Sequence, residues 1–313
     1  MKRLNRHSND YDIKRKNLSQ TDSECQYFVP LNQQEAVLLL AKYGEKIKVL
    51  AGGTDLLVQY FDRLYEVEKW LDLRKLDELI KIKKNNKYVY IGAMTTHAQI
   101  NKSKIIRRYF PVLSRAADDI GSPQIKNRGT IGGNVVNASP AGDLLPSLIA
   151  YKAQFHLLSD KEETIIPANK FFIGPKKTVL MSDQLLIKIA LPLPPKNTYG
   201  CWIKIGKRKA LIISTITLAL VVNMDSNNKL IQNASVCLGS VAPTPIEIKL
   251  IKDELVGKRF NQLNFSQLGQ IVEDKISPID DIRGTKEYRK DVAREIMINA
   301  LEEVNSAIKG GLR

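Results

Sequence analysis

The chain has 313 residues, 43% of them hydrophobic and 26% charged, the balance of a globular protein large enough for two domains. Its longest apolar stretch, 211–224, is broken by Ser214, Thr215, Thr217 and Asn223, so it suits a buried strand better than a membrane span. The net charge of +15 is spread along the chain without aromatic interleaving. That argues against nucleic-acid binding and for a lysine-rich solvated surface or a face that meets acidic partners.

The opening residues contain no apolar core for a signal peptide, and Cys25, Cys201 and Cys237 are too scattered for a disulfide framework. A cytoplasmic location is therefore expected. Residues 1–25 are rich in Lys and Arg and read as a mobile arm or a segment that orders on a partner.

Ordered structure is expected from Tyr27. Residues 33–43 have helical composition and Gly44 is placed to end the helix. A short apolar strand, 47–51, runs into Gly52-Gly53, and a second strand at 70–73 follows a linker that reads as exposed. Residues 80–83 and 88–93 flank Lys84-Asn85-Asn86-Lys87 as a hairpin. Thr95 or Thr96 can cap a short helix, and a longer helix is predicted over 109–120, stopped by Gly121. The run 128–134 follows, then a helix over 144–151 and a strand over 155–158. Pro192, Pro194 and Pro195 mark the expected boundary between a domain of residues 26–195 and another of residues 196–313. The second domain reads as strands at 202–205, 212–222 and 234–238 and closing helices, the last capped by Thr285 and running to Ile308.

Two glycine-paired segments carry the chemistry. The first is KVLAGGTDL, 48–56; the second is TIGGN, 130–134, followed by Ala138-Ser139-Pro140 and Asp143. Adjacent glycines allow positive φ and let backbone N–H groups converge on an anion, and Thr54 and Thr130 add hydroxyls. Asp55 would repel a phosphate, so it is expected to accept backbone N–H bonds within the loop or to cap the next turn. A single Gly-Gly pair is more simply a tight turn; two, each beside Thr and Asp, read as a diphosphate cradle. The chain has no G-x-G-x-x-G and no G-x-x-x-x-G-K-[ST], which disfavours a Rossmann site and a nucleotide triphosphatase.

On AGGTDLL at 51–57 and GSPQIKNRGTIGGNVVNASPAGDLLP at 121–146, the chain resembles the FAD-binding medium subunit of the xanthine dehydrogenase / carbon monoxide dehydrogenase family of molybdenum hydroxylases. FFIGPKKT (171–178), WIKIGKRKALIIS (202–214) and LGSVAPTPI (238–246) support the likeness in order. The resemblance implies an α+β fold: a two-sub-domain FAD module of the vanillyl-alcohol-oxidase (PCMH) type, then a small antiparallel sheet packed on helices. It implies that Lys48, Val49, Leu50 and Ala51, with the turn Gly52, Gly53, Thr54, Asp55 and Leu56, enclose the FAD diphosphate. They would do so together with Thr130, Ile131, Gly132, Gly133 and Asn134. Asn137 and Asp143 would contact the sugar-like portions, Ile120 and Gly121 would lie near the isoalloxazine ring with Leu186 nearby, and Lys204 would approach its pyrimidine edge. A cation there stabilises charge on the reduced ring; the plainer reading of Lys204 is a surface lysine beside Lys207-Arg208-Lys209.

The same resemblance implies that substrate is oxidised at a molybdopterin centre on a large partner subunit. Electrons would then pass through [2Fe–2S] clusters on a small partner to FAD here, and on to NAD⁺ or another acceptor. Many relatives carry an acidic residue where this chain has Ile212, which leaves the acceptor open. Purine- and nicotinate-hydroxylating members are nearest in feel on GSPQI and VAPTPI, with aldehyde and carbon monoxide classes also open. Three dispersed cysteines cannot ligate an iron–sulfur cluster in this chain.

His7, His97 and His156 have no metal-ligand spacing; His156 reads as a packed core histidine and His97 as a local hydrogen-bonder. No candidate for covalent flavin attachment falls in a matching motif, so FAD is expected to be dissociable. Two other readings are a stand-alone flavin oxidase, which needs acid–base residues not apparent after Pro195, and a flavin-free scaffold, which the intact glycine motifs count against.

Overall fold

A computed structural model describes residues 25–64, 66–207 and 213–310. The basic arm before residue 25, His7, Arg208, Lys209 and Ile212 lie outside the described residues.

The first unit is a small parallel sheet. Strand β1 (Gln26–Phe28) leads through helix α1 (Gln33–Tyr43) to β2 (Ile47–Leu50), then helix α2 (Leu56–Phe61), then β3 (Lys69–Asp72), which lies between the other two strands. Asn32 caps α1 by accepting the Glu35 N–H at 2.9 Å. Ala36, Val37 and Leu40, at helical spacing, bury against Ile47 and Leu71. Helix α2 occupies the stretch expected to be an exposed linker; Asp55 stands before it without a side-chain cap bond, and LLVQYF has no apolar period that announces a helix.

A five-stranded antiparallel sheet follows. It holds β4 (Ile82–Lys84) and β5 (Tyr88–Gly92), then, after the helices, β6 (Gln154–Leu158), β7 (Glu163–Pro167) and β10 (Leu185–Pro192), in the order β4-β5-β10-β6-β7. A two-stranded hairpin, β8 (Phe172–Gly174) and β9 (Lys177–Thr178), precedes the last of them. The central strand, LLIKIALP, is covered on both faces over most of its length and so shows no period of two, which is why sequence reasoning passed over it.

Six short helices lie between β5 and β6: α3 (His97–Lys102), α4 (Lys104–Tyr109), α5 (Pro111–Asp118), α6 (Pro123–Arg128), α7 (Ile131–Asn137) and α8 (Leu144–Ala150). The single helix expected over 109–120 is in fact the end of α4 and all of α5. Pro111 cannot donate to a continuing helix, Phe110 leaves helical geometry at φ −137° and ψ 57°, and Pro111 then starts the new helix.

The last unit is an antiparallel meander of β11 (Thr198–Ile205), β12 (Ile216–Met224), β13 (Ile231–Gly239) and β14 (Ile246–Glu247), with helices α9 (Lys249–Leu255), α10 (Phe265–Lys275) and α11 (Lys286–Gly310). The strand expected from Ile212 begins at Ile216. Thr285 does cap α11, accepting the Tyr288 N–H at 3.2 Å.

The core runs across the expected domain boundary. One apolar cluster joins Val89, Ile91 and Phe155 of the five-stranded sheet, Leu113 and Leu148 of α5 and α8, and Trp202, Ala219 and Cys237 of the meander. Those two helices are therefore shared between both sheets. On the other face of the meander, Leu218 and Leu220 pack against Ala293, Met297 and Leu301 of α11. Among the described residues no helix is long and apolar enough to cross a membrane.

Candidate functional site

β2 feeds directly into Gly52-Gly53-Thr54-Asp55, and this turn needs its glycines for two reasons. Gly53 sits at φ +74°, a conformation that side-chain-bearing residues resist. A Cβ on Gly52 would lie 2.2 Å from the carbonyl oxygen of Arg128 and 2.9 Å from the Cα of Gly129, so the turn presses directly on the backbone ahead of Thr130. The N–H groups of Gly52, Gly53, Thr54 and Asp55 hydrogen-bond to no described residue. Successive unclaimed amides in one turn form a donor set for an anion.

Asp55 departs from its expected role. It stands at the N-cap position of α2 in the right-handed helical region, φ −114° and ψ −49°, and its carboxylate caps no helix N–H.

The second glycine segment is not a loop but a helix start. Thr130 is the N-cap of α7 and its hydroxyl accepts the Gly133 N–H at 3.0 Å. Ile131 donates to Thr95 O at 3.0 Å, Gly132 to Ala93 O at 2.8 Å and Asn134 to Thr130 O at 3.0 Å. The amides of Ile131, Gly132, Gly133 and Asn134 are thus engaged inside the protein, and of the two segments the Gly52–Asp55 turn is the one that leaves a run of amides unclaimed by described residues. What TIGGN supplies instead is a close-packed wall.

A cavity of about 520 Å³ lies between the two segments. On its wall are Val49, Ala51, Gly52, Gly53, Thr54, Asp55 and Leu56 from the first segment. Thr130, Gly132, Gly133 and Asn134 of the second segment line it too, as do Asn137, Ile120 and Leu186. Six residues named from sequence are not on the wall. Lys48 is inside β2, paired with Trp70; Leu50 packs on Val67 and Trp70; Ile131 belongs to the main core. Gly121, at φ +46°, reverses the chain after Ile120.

Asp143 and Lys204, the remaining two, bind one another. Lys204 Nζ donates to Asp143 Oδ2 at 2.7 Å and to the carbonyl of Asp119 at 2.8 Å, and the Ser214 hydroxyl donates to Asp143 Oδ1. The side chains are 7% and 10% exposed, so Lys204 is not a surface lysine. Burial pushes the Asp143 carboxyl up, against the pull of the Lys204 charge and the Lys204 and Ser214 hydrogen bonds. Beside this pair the Trp202 indole N–H donates to Asp119 Oδ2 at 2.8 Å. Two residues of β11 therefore hold Asp119, the residue immediately before Ile120.

Sequence reasoning missed Gln59, Met94, His97, Ile125, Gln184 and Ile213, all on the wall. Residues 93–97 arrive there because they pair with 129–132, Thr96 forming an isolated bridge with Thr130. That register is a tertiary fact with no local signature. His97 hydrogen-bonds only through its backbone, N–H to Gly129 O at 3.1 Å. Its ring has no partner among the described residues, which corrects its expected role as a local hydrogen-bonder. Burial lowers its protonation to about 4. His156 is buried as expected, with Nδ1 against the Glu163 carboxylate.

Comparison with known proteins gives the family of the chain. A family described as the FAD binding domain in molybdopterin dehydrogenase matches residues 23–194, and the CO dehydrogenase flavoprotein C-terminal domain matches residues 202–304. The chain belongs to the FAD-binding subunits of molybdopterin dehydrogenases. Its relatives include the carbon monoxide dehydrogenase medium chain of Hydrogenophaga pseudoflava, 31% identical over 88% of this chain and 95% of that one. The xanthine dehydrogenase FAD-binding subunit of Escherichia coli O157:H7 is 30% identical over 89% and 95%. A solved carbon monoxide dehydrogenase from Hydrogenophaga pseudoflava, lacking the Mo-pyranopterin moiety of its molybdenum cofactor, superposes with a TM-score of 0.85 at 30% identity. The superposition covers 90% of this chain and 97% of the other.

The residues present suit such a FAD-binding subunit. Unclaimed amides of the Gly52–Asp55 turn match a diphosphate, and Asn134 Oδ1 is buried on the wall with no partner among the described residues. A buried polar atom left this way costs about 1–3 kcal/mol unless a ligand meets it. Ile120, Ile125, Leu186 and Ile213 offer an apolar surface for a planar ring. The fold is α+β as the resemblance implies, and the chain is one component of an oxidoreductase complex.

Proposed function

We propose that this subunit relays electrons from iron–sulfur clusters of a partner to a soluble acceptor, through non-covalently held FAD, and does not itself oxidise substrate. Residues 26–195 act as the cofactor-binding domain and residues 196–313 as the C-terminal α+β domain. The large partner carries molybdopterin and oxidises the substrate, the small partner carries [2Fe–2S] clusters, and the acceptor is NAD⁺ or another oxidant, all in the cytoplasm. Substrates of the xanthine, nicotinate, aldehyde and carbon monoxide classes fit this reading equally.

The observation that carries the reading is the set of unbonded amides at Gly52, Gly53, Thr54 and Asp55 on the wall of the cavity. These donors hold the diphosphate without a side-chain cation. Thr130 and Gly133 shape the facing wall, and Asn134 and Asn137 offer amide groups to the polar remainder. Ile120 and Leu186 exclude water from the ring, while Lys204, neutralised by Asp143, fixes the turn that carries Ile120. FAD, when bound, supplies the ability to take electrons singly and give them up in pairs.

The test is optical. Protein produced with its partner subunits and ample riboflavin should be yellow and release FAD on denaturation, while Gly53→Ile should purify folded but colourless. A colourless wild-type protein, or full flavin content in the variant, would defeat the proposal.

A further inference from the structure

We infer that His97 is a further cofactor-binding residue of this subunit, hydrogen-bonding through its imidazole to an oxygen of the FAD diphosphate where the two glycine segments meet. The inference rests on the proposal that the cavity holds FAD, and adds a residue that no motif marks.

Three observations carry it. His97 lies on the cavity wall and is 4% exposed, yet neither ring nitrogen has a hydrogen-bond partner among the described residues; Nδ1 is fully enclosed, which leaves Nε2 as the nitrogen that can meet a ligand. Buried side-chain polar atoms are nearly always satisfied, so an unsatisfied imidazole beside a cavity marks a place where a ligand completes the bonding. The ring's position fixes which part of the ligand. A Cβ on Gly129 would lie 2.9 Å from His97 Cδ2 and 3.0 Å from Nε2, so the imidazole lies flush against that glycine. Gly129 is also one of the two residues on which Gly52 presses. The imidazole thus sits at the junction between the unclaimed amides of the Gly52–Asp55 turn and the capped start of α7, where a diphosphate spanning them would lie.

Third, the geometry suits a donor that adds no charge. Burial keeps the ring neutral at physiological pH, so one nitrogen carries hydrogen and can donate to a phosphate oxygen. A lysine or arginine there would be an unpaired buried charge whenever the cofactor is absent. The Thr96 cap on α3 and the His97 N–H bond to Gly129 hold the residue in place before any ligand arrives.

The chain has three histidines, so ¹⁵N-histidine labelling of this subunit alone, reassembled with unlabelled partners, resolves them. In the intact complex, one ring nitrogen of His97 should shift on adding FAD to cofactor-stripped protein, and one phosphorus resonance of bound FAD should move in His97→Gln. His97→Phe, which keeps the bulk and loses the donor, should weaken FAD binding roughly ten- to a hundred-fold, with His97→Asn intermediate. Unchanged affinity in a folded His97→Phe protein, or a His97 signal indifferent to FAD, would overturn the inference while leaving the flavin reading intact. Failure of the wild-type protein to take up FAD at all would overturn both. If His97→Phe does not fold, the ¹⁵N shift in the wild-type protein decides alone.

Discussion

Lys204 Nζ lies 2.7 Å from Asp143 Oδ2, joining the first strand of the meander to the residue just ahead of α8, with both side chains nearly sealed from water. Such a pair contributes little net stability while intact, but breaking it strands a charge. Lys204→Met is therefore expected to destabilise the protein by about 3 kcal/mol or more, read by urea unfolding. The double variant Lys204→Met/Asp143→Leu should recover much of that loss. If the two single variants simply add, the pair is not coupled as the geometry states.

Gly53 offers a sharper conformational test. Gly53→Ala places a Cβ on a residue at φ +74°, 2.8 Å from the Leu57 Cδ1. A loss of about 1–2 kcal/mol is expected from the left-handed geometry alone, and flavin content should fall with it. Gly257, at φ +81° with open space around it, is the control: Gly257→Ala should lose stability but no flavin.

Stability should depend on pH through His97. Its folded-state protonation is held at about 4, below the ordinary 6.5, so the unfolded chain takes up the proton first as pH falls. The stabilisation is fully present above 6.5 and is lost between 6.5 and about 4, to a total of roughly 3 kcal/mol. Unfolding of cofactor-free protein at pH 7.5 and 4.5 should show this slope, and His97→Phe should flatten it. An equal slope in both proteins would contradict the burial.

Thr130→Val removes the hydroxyl that accepts the Gly133 N–H and keeps the side-chain shape. The missing cap is expected to cost about 1 kcal/mol. Because α7 forms the cavity wall rather than the anion donor set, FAD affinity should fall by less than ten-fold, well short of the Gly53 effect. Affinity falling as far as in Gly53→Ala would show that the TIGGN amides do engage the diphosphate.

Much of the site was legible in the sequence because its most demanding elements are backbone geometries that only glycine satisfies. Gly52 and Gly53 declare themselves for that reason, and the strand feeding them is a plain apolar run. What stayed hidden depended on partners distant in the chain. TIGGN looks like a second anion loop until its amides are seen bonded to Ala93 and Thr95. Lys204 looks exposed in a basic run until its strand turns it toward Asp143. The strand 185–192 hid behind continuous hydrophobicity, and the Phe110 break hid inside an otherwise helical stretch.

The grip of Trp202 and Lys204 on Asp119 has a consequence for building hybrids from relatives. A graft that joins the first 195 residues of this chain to a foreign C-terminal half imports a different hand on the Ile120 turn. It also splits the apolar layer that α5 and α8 share between the two sheets. Exchange should succeed only when the indole, the ammonium and both carboxylates travel as a set, which makes the seam at the prolines a poor place to cut.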